Sequence, residues 1–217
     1  MKKLVSLVLA LLMAGALAAC GNPGGVPSDT PSAQPSEEPS AGTSAPVLKE
    51  SADPEQGGGV LVAYFSATGN TAGVAELVAG HLNADAYEIV PAEPYSAADL
   101  DYNNPSSRSS VEMDDESARP AISGSVEGME GYDVIFLGYP IWWGEAPRII
   151  STFLESCDFG GKTIVPFCTS ASSGVGSSAE NLHSLAPAAN WLDGQRFSEN
   201  PSESDVTSWV DGLGIGG

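Results

Sequence analysis

Val60-Leu61-Val62-Ala63-Tyr64-Phe65-Ser66-Ala67-Thr68-Gly69-Asn70-Thr71 decides how this chain folds. Its apolar first half, rich in Val, Tyr and Phe, reads as a buried strand. The run stops at small hydroxyl residues, Gly and Asn, and an alanine-rich helical pattern follows at once. A strand that breaks into such a loop and opens a helix aims backbone N–H groups and a positive helix end at one spot, where an anion can sit. No Gly-Lys-Ser/Thr follows and no G-x-G-x-x-G is present, so the loop is neither a nucleotide P-loop nor a dinucleotide fingerprint. Ser66, Thr68, Asn70 and Thr71 offer hydroxyls and amides for a terminal phosphate without any cation. The same residues serve equally well as a strand-to-helix turn with an ordinary N-cap. Loop chemistry alone does not separate the two.

Downstream of the loop, apolar runs alternate with helical segments. The spacing of Val74, Leu77, Val78 and His81 predicts a first helix over 72–82, and 87–90 reads as a second strand. A third strand is expected over 132–138, a helix over 148–155, and a fourth strand over 162–168. A helical stretch over 178–185, a short fifth strand near Trp191 and a last helix over 203–213 complete the set. Strands that are apolar on both faces, alternating with helices, imply a doubly wound α/β fold around a parallel sheet. Ligands of such sheets sit beyond the carboxyl ends of the strands.

The ends of the chain read differently. Over residues 1–20, Lys2 and Lys3 precede an apolar stretch too short to span a bilayer, the pattern of a signal peptide. The stretch closes on Leu17-Ala18-Ala19-Cys20-Gly21, which resembles a bacterial lipoprotein processing box. That resemblance implies an exported protein with Cys20 acylated and anchored at the outer face of the cytoplasmic membrane. The rival is an ordinary secretory peptide with an incidental Cys. Residues 21–59 are Pro, Ser, Gly, Ala and acid, so they are expected to stay disordered as a tether of roughly 35 Å. The folded domain is then expected over 60–217.

Without the leader the chain keeps six of its eight Lys and Arg against 28 Asp and Glu. So acidic a surface excludes nucleic acid as a partner and excludes electrostatic adhesion to anionic lipid. Membrane contact is therefore expected through the lipid anchor alone. Cys157 and Cys168 are expected at opposite ends of the sheet, separated by a strand of roughly 20 Å. Disulfide Cα atoms lie within about 7 Å, so both thiols are expected to be free and largely buried. No G-x-S-x-G and no His/Cys/carboxylate spacing suited to a metal is present, and His81 and His183 fall on expected helices. No residue is assigned as catalytic.

Two further loops fall at the same sheet edge. After the third strand comes Gly138-Tyr139-Pro140-Ile141-Trp142-Trp143-Gly144-Glu145, whose paired tryptophans are costly to expose unless a flat ligand stacks on them. After the fourth comes Thr169-Ser170-Ala171-Ser172-Ser173-Gly174-Val175-Gly176, small enough for backbone to approach a planar ring. Core packing for the tryptophans and a flexible connection for the Ser/Gly loop are the plain alternatives. Three such loops at one edge are hard to obtain by accident.

With these residues in view, Ser66-Ala67-Thr68-Gly69-Asn70-Thr71 resembles the phosphate loop of the flavodoxin family, and the two later loops resemble its flavin-flanking loops. The resemblance spans the whole segment after the tether. It implies a five-stranded parallel sheet of order 2-1-3-4-5 and FMN as cofactor. The phosphate would lie on Ser66, Ala67, Thr68, Gly69, Asn70 and Thr71. The ring would lie between Pro140, Ile141, Trp142, Trp143 and Gly144 on one side and Thr169, Ser170, Ser173, Gly174 and Gly176 on the other. It further implies a low reduction potential, since Glu145 and the acidic field oppose adding an electron.

The sequence departs from the family at the third loop. Dedicated carriers usually bring an aromatic and acidic residues there, and 171–178 has neither. The stretch 94–120, with Tyr95, Tyr102, Arg108 and Arg119, is long for a crossover and shows no clean helical period, which makes it a candidate cover. Its plain alternative is a surface excursion with internal salt bridges. Three functions follow: a membrane-tethered FMN electron carrier, an FMN-dependent reductase of quinones or similar acceptors, and a non-redox binding module that keeps the fold without flavin. The electron donor and acceptor, whether redox proteins or small molecules, are not encoded in any motif.

Overall fold

The computed structural model of this chain describes residues 58–215. The expected signal peptide, Cys20 and the tether up to residue 57 lie outside the described residues. The central sheet begins with β1 (Gly59–Tyr64), followed by α1 (Asn70–Leu82) and β2 (Asp85–Glu88). An excursion then holds β3 (Val90–Pro91), α2 (Arg108–Asp114) and β4 (Ile122–Ser123). The chain returns through β5 (Tyr132–Pro140), α3 (Arg148–Ser156) and β6 (Thr163–Thr169), and ends in β7 (Asn190–Trp191), β8 (Gln195–Phe197) and α4 (Glu203–Gly212).

The strands run parallel in the order β2-β1-β5-β6-β7, with β8 also on β6. This is the expected doubly wound arrangement with one correction, since the fifth strand is divided. Val165 and Pro166 of β6 face three residues, Leu192, Asp193 and Gly194, between the two paired stretches. Pro166 has no N–H to donate, so the ladder breaks there and resumes one residue out of step. The helical stretch expected over 178–185 is a 3₁₀ helix over Glu180–Leu185. Pro187 disfavours helical backbone at Ala186, which leaves too short a run to build α-helical turns.

Both faces of the sheet are buried. Leu61 and Ala63 of β1 and Phe65 just past it share one core with Ile135, Leu137 and Tyr139 of β5 and with Ile149, Ile150, Phe153 and Leu154 around α3. Val62, Phe136, Val165 and Phe167 face the other way, against Val74 and Val78 of α1 and Val206 and Val210 of α4. On this second face Gly138 has a specific use. A Cβ there would stand 2.3 Å from Cζ of Phe167, so the missing side chain is the seat of that ring. The Phe167 ring continues into Trp209, which also packs edge-on against Phe136 and Phe197.

Cys157 and Cys168 are free. Cys168 is buried in β6, whereas Cys157, just past α3, is only half-buried. Burial pushes the Cys168 thiol from 9.0 up to about 12. Burial and then the hydrogen bond to Asp85 push the Tyr132 hydroxyl from 10.0 up to about 12. Each folded value lies above its unfolded one, so the protein binds more of these protons than the unfolded chain does. Their stabilisation is complete below pH 9.0 and is lost as the pH rises toward about 12. The urea midpoint is expected to fall steadily between pH 9.0 and about 12 for this reason. A midpoint that stays level across that window would contradict it.

Candidate functional site

The loop after β1 is shaped by its own small residues. Ser66 Oγ accepts a hydrogen bond from the Gly69 N–H at 3.1 Å. Gly69 takes φ +90° and caps α1 without any side-chain hydrogen bond, and no acidic side chain stands in the first turn. The first amides of a thirteen-residue helix are thus left without a capping partner at its positive end. A Cβ at Gly69 or Gly73 would meet nothing within 4 Å, so the space before them is open. Thr68 is exposed, and Ser66, Ala67 and Asn70 are half-buried. Thr71 is buried, and its Oγ1 lies 2.8 Å from Oγ1 of Thr169 at the end of β6. Two residues read from sequence as ligand contacts therefore also bond each other, locking the first loop to the third.

The second loop separates its tryptophans. β5 runs two residues beyond the expected end at Gly138, so Tyr139 and Pro140 are also strand residues. Trp142 packs edge-on against Phe65 at 5.6 Å and against Tyr95 at 5.4 Å. Trp142 and Glu145 exchange two backbone hydrogen bonds of 2.9 Å, which makes Trp143 and Gly144 the centre of a two-residue turn. Both central residues have positive φ, +48° at Trp143 and +86° at Gly144. A turn of this kind is ordinarily built from Asn-Gly. A tryptophan in left-handed backbone is strained by about 1–2 kcal/mol, and its side chain is nonetheless 52% exposed. Trp143→Asn is accordingly expected to raise the unfolding free energy by about 1 kcal/mol. A denaturant midpoint that is unchanged or lower would contradict the strain.

The third loop is a packed structure. Arg196 of β8 donates from Nη2 to the carbonyls of Ser170 and Ala171 at 2.5 and 2.8 Å, and Ser170 Oγ bonds the Ser173 carbonyl. Gly176 takes φ +54°, and Ser178 Oγ bonds the Val175 carbonyl at 2.6 Å while lying 3.2 Å from the buried Tyr139 hydroxyl. Glu145 accepts from Asn181 Nδ2 at 2.9 Å on each carboxylate oxygen, which ties the second loop to the 3₁₀ helix that follows the third. Arg196 carried no signal in the sequence beyond being one of few cations.

A cleft of about 370 Å³ opens where the first two loops meet. Ala67 and Thr68 form one wall, and Pro140, Ile141, Trp142 and Trp143 form another. The third wall comes from the excursion, through Leu100, Tyr102 and Ser109. Ser170, Ser173, Gly174 and Gly176 do not line it. The excursion that sequence offered as a cover is thus a wall, and it is anchored firmly. β3 and β4 clasp its base. The Tyr95 hydroxyl donates to Glu112 Oε2, Arg108 donates to Glu112 Oε1 at 2.6 Å, and the Arg108 guanidinium lies over the Tyr95 ring at 4.1 Å. Burial, then that bond to Glu112, raises the Tyr95 hydroxyl well above its ordinary value, so Tyr95 stays a donor. Arg119 makes a two-pronged pair with Glu155 of α3, both contacts at 2.8 Å. Local period in 94–120 was too short to reveal α2, and Leu100 and Ser109 had no signal of their own.

Residues 59–213 match the family model described as Flavodoxin. The chain belongs to the flavodoxin family. It is 48% identical to a candidate flavoprotein from Bacteroides eggerthii, with a TM-score of 0.69 over 73% of this chain and 99% of that one. A second candidate flavoprotein, from Bacteroides uniformis, is also 48% identical, with a TM-score of 0.69 over 72% of this chain and 99% of that one. A Lactobacillus acidophilus flavoprotein in complex with FMN shares the fold at 22% identity, with a TM-score of 0.53 over 71% of this chain and 99% of that one. No curated protein matches the chain. Within the flavodoxin arrangement, this chain builds its cleft from the first loop, the second loop and the excursion between β2 and β5.

Proposed function

We propose that this flavodoxin binds FMN and carries electrons between partners while held by a lipid on Cys20 at the outer face of a bacterial cytoplasmic membrane. One observation carries the FMN assignment. A strained, half-exposed Trp143 stands at a cleft whose opposite wall adjoins an uncapped helix N-terminus. Strain of that kind persists where something else needs the residue there, and a flat ring to stack on is such a need. The residues present fit the group. The open amides beginning α1 suit a phosphate dianion that the chain's net charge of −20 repels at long range. The cleft volume suits a ligand of this size.

Bound FMN supplies reversible one- and two-electron chemistry. This chain's residues bind and orient it. Thr68 and the α1 amides hold the phosphate, Trp142 stiffens the cleft floor against Phe65 and Tyr95, and Trp143 covers the ring. Glu145 and the acidic surface hold the potential low.

A flavin absorbance spectrum of the protein as purified, or after incubation with FMN, tests this reading. A colourless protein that takes up no flavin would leave the non-redox module. A second reading has its own observation. A groove of about 690 Å³ adjoins the cleft past Tyr102 and Trp143, with Val111 and Met113 in its lining beside the polar Asn103, Ser110, Asp114 and Asp115. It would suit a quinone or a similar acceptor, and steady-state NADH or NADPH oxidation with a quinone would favour that reductase over the carrier.

A further inference from the structure

Three buried side-chain atoms among the described residues have no hydrogen-bond partner: Ser109 Oγ, Arg148 Nε and Thr152 Oγ1. Only Ser109 belongs to a residue that lines the cleft. It is 1% exposed, and its backbone is fixed by a 3.0 Å bond from its N–H to the Asp99 carbonyl. The serines beside it are used differently. Ser107 Oγ donates to Ser110 Oγ at 2.8 Å, and Ser110 Oγ donates to the Asn104 carbonyl at 2.9 Å. Those two hydroxyls build the start of α2, whereas the Ser109 hydroxyl builds nothing. A buried hydroxyl without a partner is destabilising, and the great majority in folded proteins are paired. Its location supplies the explanation: the partner arrives with the ligand.

We propose that Ser109 is a flavin-binding residue, and that its Oγ hydrogen-bonds a polar atom of the ribityl chain or ring system. The inference rests on the FMN reading above. It gives the excursion a chemical role as the wall that meets the flavin's polar side, where the Ser/Gly loop after β6 does not reach the cleft. It also gives a signature in which stability and affinity move in opposite directions. Removing an unpaired hydroxyl relieves the empty protein, while removing a paired one weakens the complex.

The test compares wild type with Ser109→Ala and Thr68→Val in the full chain, titrating FMN and riboflavin by quenching of flavin fluorescence. For Ser109→Ala the flavin-free melting temperature is expected to rise by about 2–4 °C. Its dissociation constant is expected to rise about tenfold for FMN and by the same factor for riboflavin, which lacks the phosphate. Thr68→Val is expected to weaken FMN alone. Wild type that binds no flavin overturns the FMN reading and this inference with it. Wild type that binds, with Ser109→Ala unchanged in affinity, overturns only the inference. A loss confined to FMN would put Ser109 on the phosphate and overturn the assignment, and a lower flavin-free melting temperature would show the hydroxyl to be structural.

Discussion

Gly138→Ala is expected to lower the melting temperature by about 6–12 °C, the equivalent of about 3 kcal/mol for a domain of this size. A Cβ at this position would lie 2.3, 2.6 and 2.9 Å from Cζ, Cε2 and Cε1 of Phe167, closer than such contacts occur. Phe167 is itself buried and has no free direction, because its ring meets Trp209 and the core around Val62 and Val165. The added methyl therefore forces either the ring off its rotamer or β5 away from β6, where Gly138 and Phe167 are register partners. The cost belongs to one contact, and a double-mutant cycle isolates it. Phe167→Leu alone leaves a small void, but combined with Gly138→Ala it makes room for the methyl. The pair is expected to melt well above the sum of the two losses, and strict additivity would show that the strain lies elsewhere.

Thr68→Asp is expected to weaken FMN by at least about 30-fold while leaving the melting temperature of the flavin-free protein within a few degrees. Thr68 is exposed and makes no side-chain hydrogen bond, so the substitution touches little of the fold. A carboxylate about 4 Å from a phosphate dianion costs about 2 kcal/mol if water screens it fully and about 8 kcal/mol at an effective dielectric of 20. The lower figure gives the minimum, and the higher one means no measurable binding. Riboflavin separates this repulsion from any distortion of the loop, since its affinity is expected to change little. Equal FMN affinity in the variant and wild type would remove the phosphate from this loop. Thr71 is the poorer probe, because its bond to Thr169 makes a hydrophobic replacement cost stability and affinity together.

The two substitutions differ in how far each was visible in advance. The loop around Thr68 was legible as a strand-to-helix break because that break depends on local residue types, and residues 66–71 are contiguous. The alternation of strands and helices was legible for the same reason: a parallel sheet covered on both faces needs unbroken apolar runs, and Val60–Phe65 and Val134–Leu137 are such runs. Gly138 was visible only as the end of an expected strand and the start of a loop resemblance. Its use depends on Phe167, a neighbour across the sheet.

The division of the fifth strand lay equally out of reach. Pro166 was in plain view, but its effect falls on a partner strand whose register no local pattern gives. The paired tryptophans illustrate the limit most clearly. Sequence gave them one shared role, and the structure sends Trp142 into an aromatic cluster with Tyr95, more than forty positions away, and turns Trp143 outward on strained backbone.

By itself, then, the sequence determined the fold class, the place of the three loops beyond the strand ends, and the strand-to-helix break at residues 66–71, all of which follow from short-range pattern. Only the tertiary structure decided that the excursion, and not the Ser/Gly loop, closes the cleft. That choice rests on Arg108, Glu112 and Tyr95 clasping one another and on Arg196 gathering the loop's carbonyls. Those contacts come from residues distant in the chain whose identities predict nothing until the sheet has brought them together.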